Sequence, residues 1–121
     1  MQTLSQSQFE AALKAADDAD ASPAERAEML MEIAMGLQAR PKSVQQLHDA
    51  VGLYERAAAL VPPTEIDLVL EIQLGDALFW GGGPHDALRR AEELVERASV
   101  AGDQIGELCG SIRAGLFRTF L

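Results

Sequence analysis

Hydrophobic positions recur along the chain at steps of three and four residues, the spacing that places side chains on one face of an α-helix. The clearest stripe runs through the third segment of the chain, at Val44, Leu47, Val51, Tyr54, Ala57 and Val61. No stretch shows the alternation of apolar and polar residues that is typical of a half-buried strand. The pattern therefore predicts an all-α protein.

Proline and glycine divide the chain into six segments of similar length, each long enough for a helix. The segments are rich in alanine, leucine, glutamate, glutamine and arginine, which favour helices. Ser22 before Pro23 is typical of a helix start, with Glu25 placed to complete a capping box. The predicted helices span residues 4–20, 23–39, 43–61, 65–80, 84–100 and 103–120, in a single domain of residues 1–121.

The fourth segment differs from the others because it carries two apolar stripes on different sides of one helix. Leu70 and Leu74 belong to the first stripe, and Ile72, Gly75 and Phe79 belong to the second. A helix with two apolar sides packs between two neighbours, as an inner helix of a stack does. We therefore expect Gly75 to lie against a neighbouring helix.

A repeat links the later helices, because a step of 34 residues from Leu74-Gly75 reaches Leu108-Cys109. The upstream match is Leu30-x-x-Ile33-Ala34-x-x-Leu37, followed by Ala50, Tyr54 and Ala57. These steps resemble the tetratricopeptide repeat, a unit of two helices joined by a short turn. The resemblance implies an α–α superhelix, a right-handed solenoid of about six antiparallel helices.

A second resemblance is to the repeat arms of large bacterial regulators, which join a signal-transduction ATPase to a nucleotidyl-cyclase or DNA-binding module. It rests on the turn from Glu96 to Asp103 and on the ending from Ile112 to Leu121. This resemblance implies that the chain is a fragment of such a bacterial regulator. The sequence contains no Walker motif or cyclase residues, so no catalytic property carries over.

The charge of the chain narrows its choice of partners. Ten basic residues stand against nineteen acidic ones, a formal net charge of −9. This balance argues against binding to nucleic-acid phosphates or to an anionic membrane surface. No apolar run is long enough for a membrane-spanning helix, and the first residues do not resemble a secretory signal. The sequence therefore predicts a cytoplasmic protein with a protein or peptide partner.

Candidate catalytic and metal-binding residues do not form a recognisable set. His48 and His85 fall on different predicted helices without a third ligand. The glycines at 81–83 precede a helix, but no Lys-Ser or Lys-Thr follows them as in a phosphate-binding loop. We expect no enzyme, no cofactor and no metal site. A small enzyme with a site around Asp76 and Arg113 is the less favoured alternative.

The tetratricopeptide resemblance also implies a concave groove lined by the first helix of each repeat. Carried over to this sequence, the groove residues are Glu28, Met31, Met35, Gln38, Val69, Ile72, Asp76, Phe79, Trp80 and Arg113. Methionine and aromatic side chains suit an apolar helix or peptide, so we expect a non-catalytic protein-interaction scaffold. Two alternatives stay open: these residues form core, or the chain is a helical arm that senses a small apolar ligand.

The last predicted helix carries a row of large apolar residues, at Ile105, Leu108, Ile112, Leu116, Phe117 and Phe120. We expect the earlier part of the row to pack on the preceding helices. The remainder, Leu116, Phe117, Phe120 and Leu121, is expected to stay uncovered in a monomer, and an exposed apolar patch usually marks an interface. We therefore expect a homodimer through the C-terminal helix, unless that helix folds back over its own repeats.

Overall fold

The computed structural model of the chain describes residues 6–17, 20–62 and 64–121, and within them the side chains of all but residues 6–9 and 12. In these ranges the structure consists of six α-helices and contains no strand, so the predicted all-α class is confirmed. The helices are α1 (Gln6–Ala16), α2 (Pro23–Ala39), α3 (Val44–Leu60), α4 (Leu68–Trp80), α5 (Pro84–Ala101) and α6 (Gln104–Thr119).

The helix bounds differ from the predicted ones mainly in α1 and α4. Helix α1 ends at Ala16, and positions 4, 5, 18 and 19 of the predicted first helix lie outside the described residues. Helix α4 begins at Leu68 rather than at residue 65. The reason is that the Asp67 carboxylate accepts a hydrogen bond from the Leu70 N–H (3.1 Å) and caps the helix.

The other helix ends mostly follow local signals in the sequence. The Ser22 hydroxyl oxygen accepts a hydrogen bond from the Glu25 N–H at 3.1 Å, so Ser22 caps α2 as predicted. After α4 the left-handed backbone conformation belongs to Gly82 (φ 93°), whereas Gly81 has a φ of −82°. A glycine is needed there because other residues rarely adopt a positive φ.

The chain divides into two compact units, Met1–Pro62 and Pro63–Leu121. In the first unit, α2 packs along α3 and more lightly against α1. In the second unit, α5 packs against both α4 and α6. Each unit therefore contains one extensive pair of helices that follow each other in the chain, α2 with α3 and α5 with α6.

The core of the first unit is formed by residues of the upstream repeat match. Its buried side chains are Ala16, Ala27, Leu30, Ile33, Ala34, Leu37, Leu47, Ala50, Leu53, Tyr54 and Ala57. Tyr54 is the largest of them, and its hydroxyl donates a hydrogen bond to the Gln38 side-chain oxygen at 2.6 Å. This bond satisfies the one polar group of a fully buried ring.

The second unit depends on close approach between helices α5 and α6. At Gly110 of α6, a Cβ atom would come within 2.9 Å of Val95 Cγ2 and 3.2 Å of the Ala91 carbonyl oxygen of α5. At Gly106, the same atom would lie 3.2 Å from the Ala98 Cβ. The contacts run in opposite order along the two helices, so α5 and α6 are antiparallel. Glycine at position 110 is what permits this spacing.

Helix α4 lies against α6 as well as against α5. Gly75 of α4 is buried, and a Cβ atom built there would lie 3.7 Å from the ring of Phe117 on α6. The expectation that Gly75 packs against a neighbouring helix is therefore confirmed. The buried side chains of this unit are Leu70, Glu71, Leu74, Ala77, Ala87, Ala91, Leu94, Ala98, Ala114 and Phe117.

Candidate protein-interaction surfaces

Helix α2 carries the four predicted groove residues of the first unit. Glu28 and Met35 are exposed, and Met31 is half-buried. Gln38 is also half-buried, but its side chain accepts the hydrogen bond from Tyr54 and so serves the core. In the first unit, α2 therefore presents one carboxylate and two thioethers at its surface.

Helix α4 carries five of the six predicted groove residues of the second unit, and Arg113 on α6 is the sixth. Val69 is exposed, and Ile72 is half-buried beside a cavity of about 10 Å³. A volume of that size holds one water molecule at most. The predicted residues of the second unit that lie together are Asp76 with Arg113, and Phe79 with Trp80.

Asp76 and Arg113 form an ion pair between α4 and α6. Arg113 Nη1 donates a hydrogen bond to Asp76 Oδ1 at 2.6 Å, and both side chains are about 30% exposed. Burial raises the pKa of the Asp76 carboxyl above its ordinary value, and the positive charge of Arg113 opposes that rise. The bond joins the two helices and gives each charged group its partner.

Four aromatic rings meet in the second unit to form a cluster that we call the aromatic corner: Phe79, Trp80, Phe117 and Phe120. Phe79 lies at its centre and stacks on Phe117, with ring centroids 5.0 Å apart and an angle of 17° between the planes. Trp80 and Phe120 meet the same ring edge-on, at 5.2 Å and 5.4 Å. Trp80 is 70% exposed, and Phe120 is also exposed. Two large rings are thus held at the surface in defined orientations.

Phe117 lies on the inside of the aromatic corner rather than in an exposed patch. It is only 2% exposed, because the missing side chain of Gly75 leaves room for its ring against α4. The expectation that Phe117 stays uncovered is therefore wrong. The three other residues of that prediction, Leu116, Phe120 and Leu121, are exposed.

The opposite side of α6 carries an apolar surface that we call the outer stripe: Ile105, Leu108, Ile112 and Leu116. These side chains are between 46% and 69% exposed. The expectation that the first three pack on the preceding helices is wrong, because Gly106, Gly110 and Ala114 occupy the buried side of α6 instead. Small residues on that side bring the backbones together and leave the large residues outside.

A charged cluster that the sequence analysis did not identify joins α4 to α5. The Glu71 carboxylate accepts hydrogen bonds from Arg90 Nε (3.0 Å), Arg90 Nη2 (3.2 Å) and Arg97 Nη1 (2.9 Å). Its side chain is 5% exposed. Arg97 also donates to the Glu65 carbonyl oxygen at 3.2 Å. The available signal is two arginines seven residues apart on one helix, and a glutamate where the repeat has a large apolar residue.

An open groove of about 460 Å³ lies along the end of α5, lined by Thr64, Ile66, Glu96, Arg97, Val100 and Ala101. None of the predicted site residues lines it. Arg97, the one basic group in its wall, already bonds to Glu71 and to the Glu65 carbonyl. The groove therefore offers little polar chemistry for a small ligand.

Within the described ranges, no three side chains of histidine, cysteine, aspartate or glutamate are grouped so that they could hold a metal ion. No described helix combines the length and the apolar character needed to cross a membrane. Comparison with models of protein families, with curated proteins and with solved structures gives no match. What the chain binds must therefore be inferred from its own surfaces.

Proposed function

We propose that the chain is a non-catalytic protein-interaction module of the tetratricopeptide type, and that its partner is a helix or peptide with a large apolar side chain. The aromatic corner carries the proposal. Trp80 and Phe120 stand exposed around Phe79, and their orientation is fixed by ring contacts. Rigid aromatic side chains of this kind supply a large share of the binding energy at protein interfaces.

The burial of the repeat positions supports the tetratricopeptide type. Ile33 and Ala34 on α2 align with Leu74 and Gly75 on α4, and all four residues are buried. The following helices carry small or aromatic residues at matching steps, and these are buried too: Ala50, Tyr54 and Ala57 on α3, and Ala87, Ala91 and Leu94 on α5. A right-handed superhelix with one continuous groove is the arrangement that the proposal implies.

The ion pair favours a binding role over the alternative enzyme. An acid–base catalyst must place its carboxyl within hydrogen-bond reach of a substrate. Asp76 instead bonds to Arg113 at 2.6 Å, and the arginine has no second acceptor role to play in that geometry. In a binding surface the same pair ties α4 to α6 and so fixes the rings beside it.

Peptides selected from a displayed library against the full chain test this proposal. We expect the Trp80→Ser variant to bind the selected peptides roughly tenfold more weakly or worse, because it loses an exposed aromatic anchor. Fluorescence polarisation of labelled peptides measures the change. Trp80 is the one tryptophan of the chain, so its emission should also shift when a peptide covers it.

A matched control is Val44→Ser on α3, which removes an exposed apolar side chain from the other unit. It should leave peptide affinity unchanged. Equal affinity of the Trp80→Ser variant and the unchanged chain would show that the aromatic corner is not the binding surface.

A further inference from the structure

Within the second unit, the repeat itself indicates what kind of surface the outer stripe is. A step of 34 residues aligns Leu74 with Leu108 and Leu78 with Ile112. On α4, Leu74 is 0% exposed and α5 packs on the helix, whereas Leu108 on α6 is 61% exposed. The positions that α4 uses to receive a helix are thus presented to solvent on α6. The occupant that fits the outer stripe is another helix.

The stripe is also complementary to itself. Leu108 and Leu116 lie four residues before and four residues after Ile112. If two α6 helices pack antiparallel about a two-fold axis at Ile112, Leu108 of each copy faces Leu116 of the partner subunit. A two-fold interface requires this kind of self-complementary surface. We propose that a second copy of this chain covers the outer stripe, through antiparallel pairing of the two α6 helices.

The charges around α6 fit a second copy. The outer stripe contains no charged residue, and both arginines of the helix are paired within the chain. Arg113 bonds to Asp76, and Arg118 lies 3.4 Å from Glu92. Helical spacing places Glu107, the one acidic residue of α6, on the far side from the stripe. Two chains of net charge −9 can therefore meet along α6 without opposing charges of like sign.

The size of the surface sets the strength of the pairing. A helix of 16 residues is roughly 24 Å long. One pair of such helices buries less than the roughly 1,200 Å² that marks the lower end of standard interfaces. We therefore expect a weak, reversible dimer with a dissociation constant on the order of 10 μM.

Sedimentation equilibrium of the full chain, from about 5 to about 200 μM, tests the pairing around that dissociation constant. The unchanged chain should pass from one copy to two over this range. Leu108→Lys and Leu116→Glu should each weaken association by roughly tenfold or more, since each places charges in an apolar contact. Both side chains are exposed, and circular dichroism should show unchanged helix content. Val44→Lys, an equally exposed site in the other unit, should associate as the unchanged chain does.

Mixing the two variants tests the direction of the helices. In the antiparallel pair, position 108 of one copy faces position 116 of the other, so the lysine and glutamate variants should together recover association. In a parallel pair they would not meet, and the mixture would stay monomeric.

Three results would overturn the proposal. They are a single-chain mass at the highest concentration, association that survives both substitutions, and a mixture that fails to recover association. The first would leave the outer stripe to a helix from a different protein. None of the three changes the peptide test at Trp80, because the outer stripe does not include the aromatic corner.

Discussion

Helices α4 and α6 follow the same repeat spacing, yet α4 is enclosed and α6 is open along one side. Leu74 is fully buried, while Leu108, its equivalent 34 residues later, is exposed. The residue type is the same, and so is its position in the repeat. The neighbour decides the difference, since α5 packs on α4 while the same positions on α6 form the outer stripe. In a repeat protein, burial thus belongs to the interface between units and not to the unit.

The two helices also exchange polarity at one position. Glu71 on α4 aligns with Ile105 on α6, and the carboxylate is buried while the isoleucine is exposed. Burial of the carboxylate is possible because Arg90 and Arg97 both bond to it. Side-chain polarity alone would assign the two positions the opposite way round.

The largest contrast is expected between Leu74→Ala and Leu108→Ala. The first should lower the free energy of unfolding by about 2–5 kcal/mol, because it leaves a cavity in a packed core. The second should change it by less than about 0.5 kcal/mol, because the side chain is already in water. Urea denaturation at low protein concentration, where the chain is a monomer, measures both. Equal losses would show that Leu108 is covered in the monomer.

A second contrast sets Glu71→Ala against Ile105→Glu. Removing the buried carboxylate should cost about 1–3 kcal/mol, since Arg90 and Arg97 lose their acceptor and must turn to water. Adding a carboxylate at the exposed position 105 should cost less than about 0.5 kcal/mol. The same denaturation series measures both variants. A neutral result for Glu71→Ala would mean that the cluster does not hold α4 to α5.

A third contrast concerns Gly75 and its equivalent, Cys109. Gly75→Leu should cost about 1–3 kcal/mol by overpacking against Phe117. Gly75→Ala should instead add up to about 1 kcal/mol, because its Cβ meets the ring at an ordinary 3.7 Å and alanine favours the helix. Cys109→Ala on α6 is the control, with an expected change below about 0.5 kcal/mol. Thermal melts should rank the three variants in this order, and a stabilising leucine at position 75 would contradict the packing.

The smallest expected effect is a pH dependence at Asp76. Its folded-state pKa is raised by burial, with Arg113 opposing, so the folded chain binds the proton more tightly than the unfolded chain. Stability from this group is therefore lost as pH rises from about 3.9, the unfolded value, through the raised folded value. Compared with Asp76→Asn, the unchanged chain should become less stable over this window. A rise with pH would instead mean that the charge of Arg113 outweighs burial.

The helices were predictable because their signals are local. Ser22 caps α2 through its own neighbour Glu25, and glycines and prolines mark the breaks between segments. The start of α4 was harder to place, because Ile66 continues the apolar spacing past the Asp67 cap. A cap is set by backbone geometry, which apolar spacing does not reveal.

The surfaces were less predictable because they depend on partners distant in the chain. Burial of Glu71 requires two arginines that lie 19 and 26 residues later. The position of Phe117 did have a signal: it follows Gly110 by seven residues, which places it on the small-residue side of α6. Large residues at steps of three and four drew attention to the wrong side of that helix.

Gly110 has a consequence for how α6 can move. Its neighbours on α5 include the Val95 nitrogen and the Ala91 carbonyl oxygen, at 3.1 Å and 3.2 Å from where a Cβ would sit. Backbone atoms cannot step aside as a side chain can, so α6 is held at one rotation about its own axis. The direction in which the outer stripe points is thus dictated from the hidden side of the helix. Alanine at position 110 would turn or lift α6, and could redirect its outer surface without changing a single exposed residue.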